Sequence, residues 1–400
     1  MMVLVKKMRQ PSAEFKIKTY NAISLRGLEI FPAEHYEIGP EVPQPDAILL
    51  RSQDLHDVSI PATVKAVGRA GTGVNNIPVS ECSKKGIPVF NAPGANANAV
   101  TELAIAGLLL AARNIPEALS FTKKLVGEGD DLDTLVEQTK NRFSGIELAG
   151  KTLGVVGLGA IGVKVSNAAT ALGLKVIGFD PQMTVESAWR LSSDAIPAES
   201  LNELLVCSDF ISLHVSLNDQ TRHLINDSCI AKMKHTATLL NFSRAAIVDE
   251  PAVLAALDNA KLRAYVSDFP SRALLNRTRT IVFPHLGAST AEAKDNCAMM
   301  VADQLRDFLE NGNIRHSINF PDIHLSRSEG FRLAIANENV PGMVSQITSI
   351  LAENNLNIMN MLNKSRGDYA FTLIDTNDQV SPQLLARLRA IAGVLSVRAV

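Results

Sequence analysis

The sequence predicts a layered α/β protein of two or three domains, and three observations carry that expectation. Short apolar runs alternate with helical patterns from Phe15 to Glu310, the rhythm of a parallel sheet covered by helices. One run ends in glycines spaced G-x-G-x-x-G and is followed by a helix, a second apolar run and an acid. Beyond residue 330 the order changes to βαββαβ, which is ferredoxin-like. At 400 residues the chain is also too long for one hydrophobic core.

The composition narrows the function. An apolar content of 46% and a charged content of 20% are those of an ordinary globular chain. A formal net charge of −2 offers no field to nucleic acid or an anionic membrane, so neither is an expected partner. The apolar run 103–112 falls short of the roughly 20 residues that span a bilayer. No charged-then-apolar leader is recognised, and a cytoplasmic location is expected. Cys82, Cys207, Cys229 and Cys297 are scattered without ligand-like spacing, so they are expected to be reduced and structural, with no metal site.

Taken in order, residues 1–14 read as a loose lead-in. Strands are expected at 15–20, 46–52, 63–69 and 88–91, with a helix over 79–85. Ligands of such sheets sit beyond the strand C-termini, where Arg51, Thr72 and Asn75 fall. The stretch 101–113 is apolar nearly all round, the pattern of a buried helix, with Ile105 and Leu109 as core. The charged segment 127–142 reads as an exposed helix or arm with solvated acids.

The glycine unit spans 151–180. Gly157 permits the tight turn, Gly159 lets backbone approach a pyrophosphate, and Gly162 lets the helix pack closely on the strand. The helix N-terminus offers free N–H groups and positive potential to phosphates. Asp180 closes the second run, where a carboxylate accepts the adenosine ribose hydroxyls and repels a 2′-phosphate; NAD is therefore favoured over NADP. Helices over 200–205, 227–234 and 251–260 then alternate with strands over 209–215, 237–242, 263–268 and 280–283. A long helix over 291–310 leads back toward the first domain. Residues 319–327 have the proline and polar content of a linker. The C-terminal unit holds no histidine, cysteine or evident nucleophile, which points to binding or assembly rather than chemistry.

Two side chains stand out as chemical. His285 follows a proline at a strand end, and imidazole is the side chain best suited to proton transfer near neutral pH. Arg244 sits in a strand-to-helix turn, and a guanidinium grips a carboxylate through two parallel bonds while polarising an adjacent carbonyl. His214 ends another strand and is placed to line a cofactor cleft. His35, His56, His223, His235, His316 and His324 read as surface or structural. Asp249 and Glu250 read as helix-opening acids.

The segments RAGTGVNN, VVGLGAIG with Asp180, NFSRAAIVDE and PHLGAST occur in the order of the D-isomer-specific 2-hydroxyacid dehydrogenases, which this chain resembles over about residues 15–325. ENVPGMVSQITSILAENNLNI resembles the opening of an ACT domain. The resemblance implies a Rossmann-like NAD-binding domain (98–288) inserted in a flavodoxin-like substrate domain (1–97 and 289–325), followed by a ferredoxin-like ACT domain (329–400). It implies NAD-linked oxidation of a phosphorylated 2-hydroxy acid. Arg244 would hold the substrate carboxylate and C2 oxygen, and His285 would take the hydroxyl proton. Thr72, Gly157, Gly159, Ala160, Ile161, Gly162, Asp180, Val215, Phe242, Ser243, Asp268, Gly287 and Ala288 match the family's cofactor contacts. Arg51, Ser52, Gly73 and Asn75 would face the substrate, with Lys140 and Arg142 as contributors from a neighbouring subunit. A homodimer or homotetramer is implied, with an amino-acid effector at Asn337 and Asn339 of the ACT domain.

One departure stands out. The family places a glutamate about five residues after the equivalent of Asp268, where it hydrogen-bonds the histidine. Here Arg272 and Ala273 occupy that place, and no acid occurs from Phe269 to Pro284. Either Asp268 substitutes in part, or the histidine works unpaired with a shifted pH optimum. A dehydrogenase for an unphosphorylated acid and a weakened, NAD-sensing binding protein are the alternatives. Arg51 and the ACT domain oppose the first, and intact Arg244 and His285 oppose the second.

Overall fold

The computed structural model describes residues 14–126, 132–275 and 277–400. The expected lead-in, apart from Glu14, and residues 127–131 of the charged arm lie outside them. The chain forms two compact units, Met1–Asn96 with Lys294–Val400, and Ala97–Ala293.

The first unit begins with five parallel strands: β1 (Phe15–Thr19), β2 (Tyr36–Gly39), β3 (Ala47–Leu50), β4 (Ala66–Arg69) and β5 (Val89–Phe90). Their order, β2-β1-β3-β4-β5, is the flavodoxin-like one. Two short helices, α1 (Leu25–Leu28) and α2 (Val79–Lys84), belong to it. β3 is buried at all four residues, as expected of an unbroken apolar run in a sheet covered on both faces. The pattern did not announce α1 or β2.

The second unit opens with α3 (Ala97–Ala112), α4 (Ile115–Lys124) and α5 (Leu132–Thr139). Then follow β6 (Thr152–Val156), α6 (Ala160–Ala171), β7 (Lys175–Phe179), α7 (Val185–Arg190), β8 (Ile196–Pro197), α8 (Leu201–Cys207) and β9 (Phe210–Leu213). After them come α9 (Asp227–Lys232), β10 (Thr238–Asn241), α10 (Glu250–Asp258), β11 (Ala264–Ser267), α11 (Arg272–Leu275) and β12 (Thr280–Val282). All seven strands are parallel, in the order β12-β11-β10-β9-β6-β7-β8. The chain leaves β6 for β7 on one side and later returns to β9 on the other, which opens a crevice above the C-terminal end of β6. α3 packs as a buried helix, with a correction: its core stripe is Ala104, Leu108, Ala111 and Ala112, while Leu109 is 37% exposed. The stripe follows the i, i+4, i+7 face, and Leu109 lies one step round from it.

α12 (Ala291–Asn311) carries the chain into the C-terminal part of the first unit: β13 (Phe331–Glu338), α13 (Met343–Glu353), β14 (Ile358–Arg366), β15 (Tyr369–Thr376), α14 (Pro382–Arg389) and β16 (Val394–Ala399). The four strands form an antiparallel sheet, β14-β15-β13-β16. β13 is apolar on both faces. Leu333 and Ile335 join Ile347, Leu351 and Leu388 beneath α13 and α14. Ala334 and Ala336 face the opposite way, into one core with Phe90 of β5, Phe308 of α12 and Phe371 of β15.

The expected linker is therefore a packed strap. Asn319 Oδ1 accepts from the Val89 amide at 2.9 Å, and its Nδ2 donates to Ser83 Oγ and the Ile87 carbonyl at 3.0 Å each. Phe320 is fully buried against the rings of Tyr369 and Phe371. Arg332, also buried, donates to both oxygens of Asp375 (2.6 and 2.9 Å) and to the carbonyls of Asn311, Leu325 and Ser326. Burial pushes the Asp375 carboxyl up, but the bonds from Arg332 and Ser328 outweigh it and hold the group below its ordinary value. Removing one partner of such a pair leaves a buried charge uncompensated, which costs about 3–5 kcal/mol.

Candidate active site

In the second unit the candidate residues gather at the C-terminal edge of the parallel sheet. Gly157 has φ +91, a left-handed conformation that favours glycine, and a Cβ there would lie 2.8 Å from the backbone of His214 and from Val215 Cγ1. A Cβ on Gly162 would lie 1.9 Å from the Gly157 carbonyl oxygen. A Cβ on Gly159 would meet nothing within 4 Å. The two outer glycines are thus required by packing, and the middle one borders open space. Gly159 also caps α6 without any side-chain bond, so the first-turn amides of that helix remain available to an anion. Asp180 stands at the end of β7, its Oδ2 accepting from the Leu158 amide at 2.8 Å and its Oδ1 from the Gln182 amide at 2.9 Å. Each oxygen keeps a lone pair for a further donor. These features fit a dinucleotide, with the pyrophosphate over Gly159 and ribose hydroxyls at Asp180.

Strand ends farther along the same sheet edge carry the polar chemistry. After β10, Ser243 Oγ donates to the Leu213 carbonyl at 2.8 Å and its amide donates to Asn241 Oδ1 at 3.1 Å. Asn241 Nδ2 in turn donates to the Arg244 carbonyl at 2.9 Å. The loop is pinned from below, and the Arg244 side chain is left exposed. Its Nη1 donates to the Ser243 carbonyl, and it forms no ion pair with any described carboxylate. Phe242 turns its ring into the core against Phe283, so only its backbone is left to meet a cofactor. Ile161 likewise packs against that core, while Ala160 stays exposed.

Asp268, after β11, is 2% exposed. Its Oδ1 accepts from the Leu286 amide at 2.7 Å and its Oδ2 from the Gly287 amide at 2.8 Å, while its carbonyl accepts from the His285 amide at 3.1 Å. Both oxygens therefore hold the 285–288 loop, and the carboxylate forms no bond to the imidazole. His285 itself is exposed, at φ +56, with the Phe269 ring edge-on at 5.3 Å. Arg272 and Ala273 open α11 as exposed residues, with Leu274 as its buried anchor. His214 is held differently: one ring nitrogen meets Ser212 Oγ at 2.8 Å, and Nδ1 is enclosed without a partner among the described residues. Burial pushes it down to about 4, so it is neutral near pH 7.

In the first unit, Arg51 and Ser52 follow β3, and Thr72, Gly73 and Asn75 follow the adjacent β4. Asn21 Oδ1, at a left-handed residue, accepts from the amides of Ser52 and Gln53 at 2.9 and 2.8 Å. Asn91 Nδ2 donates to the Thr72 carbonyl at 2.5 Å, and Thr72 Oγ1 reaches Asn96 at 3.3 Å. Sequence reasoning passed over Asn21 and Asn91, which hold these loops, and Arg69, which closes β4. Burial pushes the Cys297 thiol up, while the charges of Arg51 and Arg69 pull it down. Arginine at the end of a parallel strand was the available signal for Arg69. Lys140 pairs with Glu137 and Arg142 stacks near Phe143, both on the exposed arm.

In the C-terminal sheet, Asn337 is buried, donates to the Glu338 carbonyl at 2.7 Å and leaves its Oδ1 without a partner among the described residues. Asn339 is tied to the hairpin opposite, through the carbonyls of Asp368 and Gly367.

A dinucleotide cradle at a topological switch point, with a guanidinium after β10 and an imidazole after β12 on the same edge of the sheet, defines a dinucleotide-binding α/β protein. The chain belongs to the D-isomer-specific 2-hydroxyacid dehydrogenase family. The model of that family's NAD-binding domain matches residues 105–287, and that of the ACT domain matches 332–393. A D-3-phosphoglycerate dehydrogenase of Haemophilus influenzae is 33% identical over 345 residues, 83% of this chain and 80% of the relative. One of Methanocaldococcus jannaschii is 41% identical over 266 residues, 65% of this chain and 48% of that protein. The chain spans about half the length of the first curated relatives it matches. The NAD-bound 3-phosphoglycerate dehydrogenase of Entamoeba histolytica superposes with a TM-score of 0.59 at 26% identity, over 77% of this chain and 99% of that one. No single helix among the described residues is long and apolar enough to cross a membrane.

Proposed function

We propose that this chain oxidises D-3-phosphoglycerate to 3-phosphohydroxypyruvate with NAD, the first step of L-serine biosynthesis. The observation that carries the reading is Arg244, an exposed guanidinium on a pinned loop with no described carboxylate beside it. Gly159 and Asp180 would hold the pyrophosphate and ribose of NAD, which when bound would accept the hydride from C2. Arg244 holds the substrate carboxylate and stabilises charge on the C2 oxygen. His285 accepts the C2 hydroxyl proton on a backbone fixed by Asp268. Arg51 and Ser52 take the phosphate, and Gly73 and Asn75 border the substrate. Catalysis here is positioning and electrostatic stabilisation, without a covalent intermediate. An amino acid at Asn337 and Asn339, homo-oligomeric assembly and a cytoplasmic location complete the proposal.

The imidazole, with a phenylalanine neighbour and no bonded carboxylate among the described residues, favours a second reading, an NAD-sensing protein of weakened turnover. Initial rates of NADH change with D-3-phosphoglycerate and 3-phosphohydroxypyruvate decide between them. Turnover is expected, and Arg244→Ala should lower kcat/KM about 10²–10³-fold, as loss of a transition-state donor does. NAD binding without turnover on these or unphosphorylated 2-hydroxy acids would favour the sensor. Faster turnover of an unphosphorylated acid would move the substrate assignment.

A further inference from the structure

Within the first unit, a cavity of about 480 Å3 opens where β16 and α14 meet the loops before β4 and after α2. Its wall carries Lys65, Lys85, Arg389 and Arg398, with no carboxylate among the lining residues. Asp46 stands nearby and pairs with Lys65 at 2.9 Å. Lys85 has no ion-pair partner among the described residues and is exposed. Arg389 is held by the Val397 carbonyl, to which its Nη2 donates at 3.0 Å. Arg398 lies over the Phe308 ring at 4.2 Å and donates to the carbonyls of Phe308 and Leu309, near the C-terminus of α12. Its Nε is enclosed and without a partner among the described residues. Burial pushes this guanidinium down to about 9, against an upward pull from Asp46. The wall thus carries four cations, of which Asp46 pairs with one. The apolar part of the wall, including Val64, Ile87 and Phe371, suits a compact organic body.

We propose that this cavity binds a small multiply charged anion, a phosphate ester or a di- or tricarboxylate, held between Lys85 on one side and Arg389 and Arg398 on the other. Each side belongs to a different fold element: Lys85 follows α2 of the parallel sheet, and the two arginines sit on the ferredoxin-like unit. A bound anion therefore ties the two together and replaces the missing counter-charge. The site is separate from the strand-end loops of the proposed activity, and its test does not depend on turnover.

Calorimetric titration of the full chain with citrate and with inorganic pyrophosphate reads it directly. Saturable binding to at least one probe is expected, and the tighter probe identifies the polycarboxylate or the phosphate class. Lys85→Glu should weaken that binding at least about tenfold, the loss of one charge-assisted contact, while Lys85→Arg keeps it. Arg389→Gln, at an exposed position on the opposite wall, should weaken it as well. Unliganded melting temperatures and basal turnover of the Lys85 variants should match those of the unaltered protein. No saturable binding of either probe, or equal affinity for Lys85→Glu, would overturn the proposal.

Discussion

The turn after β6 and the corner formed by the loops after β11 and β12 lie on the same C-terminal edge of one parallel sheet and are built by different means. The turn is made of backbone: one positive φ at Gly157, one close approach at Gly162 and one open position at Gly159. The corner is made of side-chain partnerships: Asp268 holds the loop, Phe269 flanks the imidazole, and no carboxylate among the described residues bonds the ring. A backbone device is fixed by excluded volume, so it survives whole or is lost. A side-chain device can change one part at a time, and here no acid follows Asp268 before Pro284 where the resemblance implies one.

The largest effect is expected from filling the turn. In Gly162→Ala the new Cβ would lie 1.9 Å from the Gly157 carbonyl oxygen, so strand and helix must separate. Overpacking of this kind costs about 1–3 kcal/mol or more and displaces the amides that face the phosphates. NAD binding by calorimetry should fall at least about a hundredfold, which is roughly 2.7 kcal/mol. Gly159→Ala is the contrast: nothing lies within 4 Å, so the melting temperature should hold while NAD affinity drops. Normal NAD affinity in Gly162→Ala would break the distinction between the two devices.

The same distinction explains what the sequence made legible. Glycine spacing reports backbone geometry directly, so the cradle, its strands and Asp180 could be read without a structure. Continuous apolar runs such as β3 and the two-faced β13 likewise left little choice of environment. α1, β2, α7 and β8 are short, and too few residues repeat to set a period. The prolines and polar groups around Asn319 look like a linker until their partners are known. Asn319 satisfies Val89, Ser83 and Ile87, which lie more than two hundred residues away in sequence. Asp268 was harder still. Its position marks it for the cofactor or for the histidine, whereas both oxygens are committed to backbone amides that only the folded loop brings within reach.

That commitment gives the middle-sized prediction. Asp268→Asn keeps the shape but presents an NH2 group to one of two N–H donors, at Leu286 or Gly287. Losing a hydrogen bond to a charged group costs about 1.5–3 kcal/mol, and the 285–288 loop should slacken. A fall in kcat of about tenfold or more is expected, with less change in the KM for substrate. An unchanged kcat would mean that the loop is held by something other than this carboxylate.

The smallest effect, and the one that sharpens the comparison most, is restoring an acid. Arg272 is exposed at the start of α11, where a first-turn carboxylate is compatible with the helix. In Arg272→Glu, a carboxylate that bonds the imidazole would favour its charged form and move the acid limb of the pH–rate profile upward. Turnover above that limb should rise, because a partnered imidazole is better oriented. Ala273→Glu tests the adjacent place in the same helix turn. If neither variant moves the acid limb while turnover stays that of the unaltered protein, His285 works from its backbone placement and the Phe269 contact alone. The corner would then resemble the glycine turn more than the family's usual arrangement, with geometry set by main chain rather than by a carboxylate.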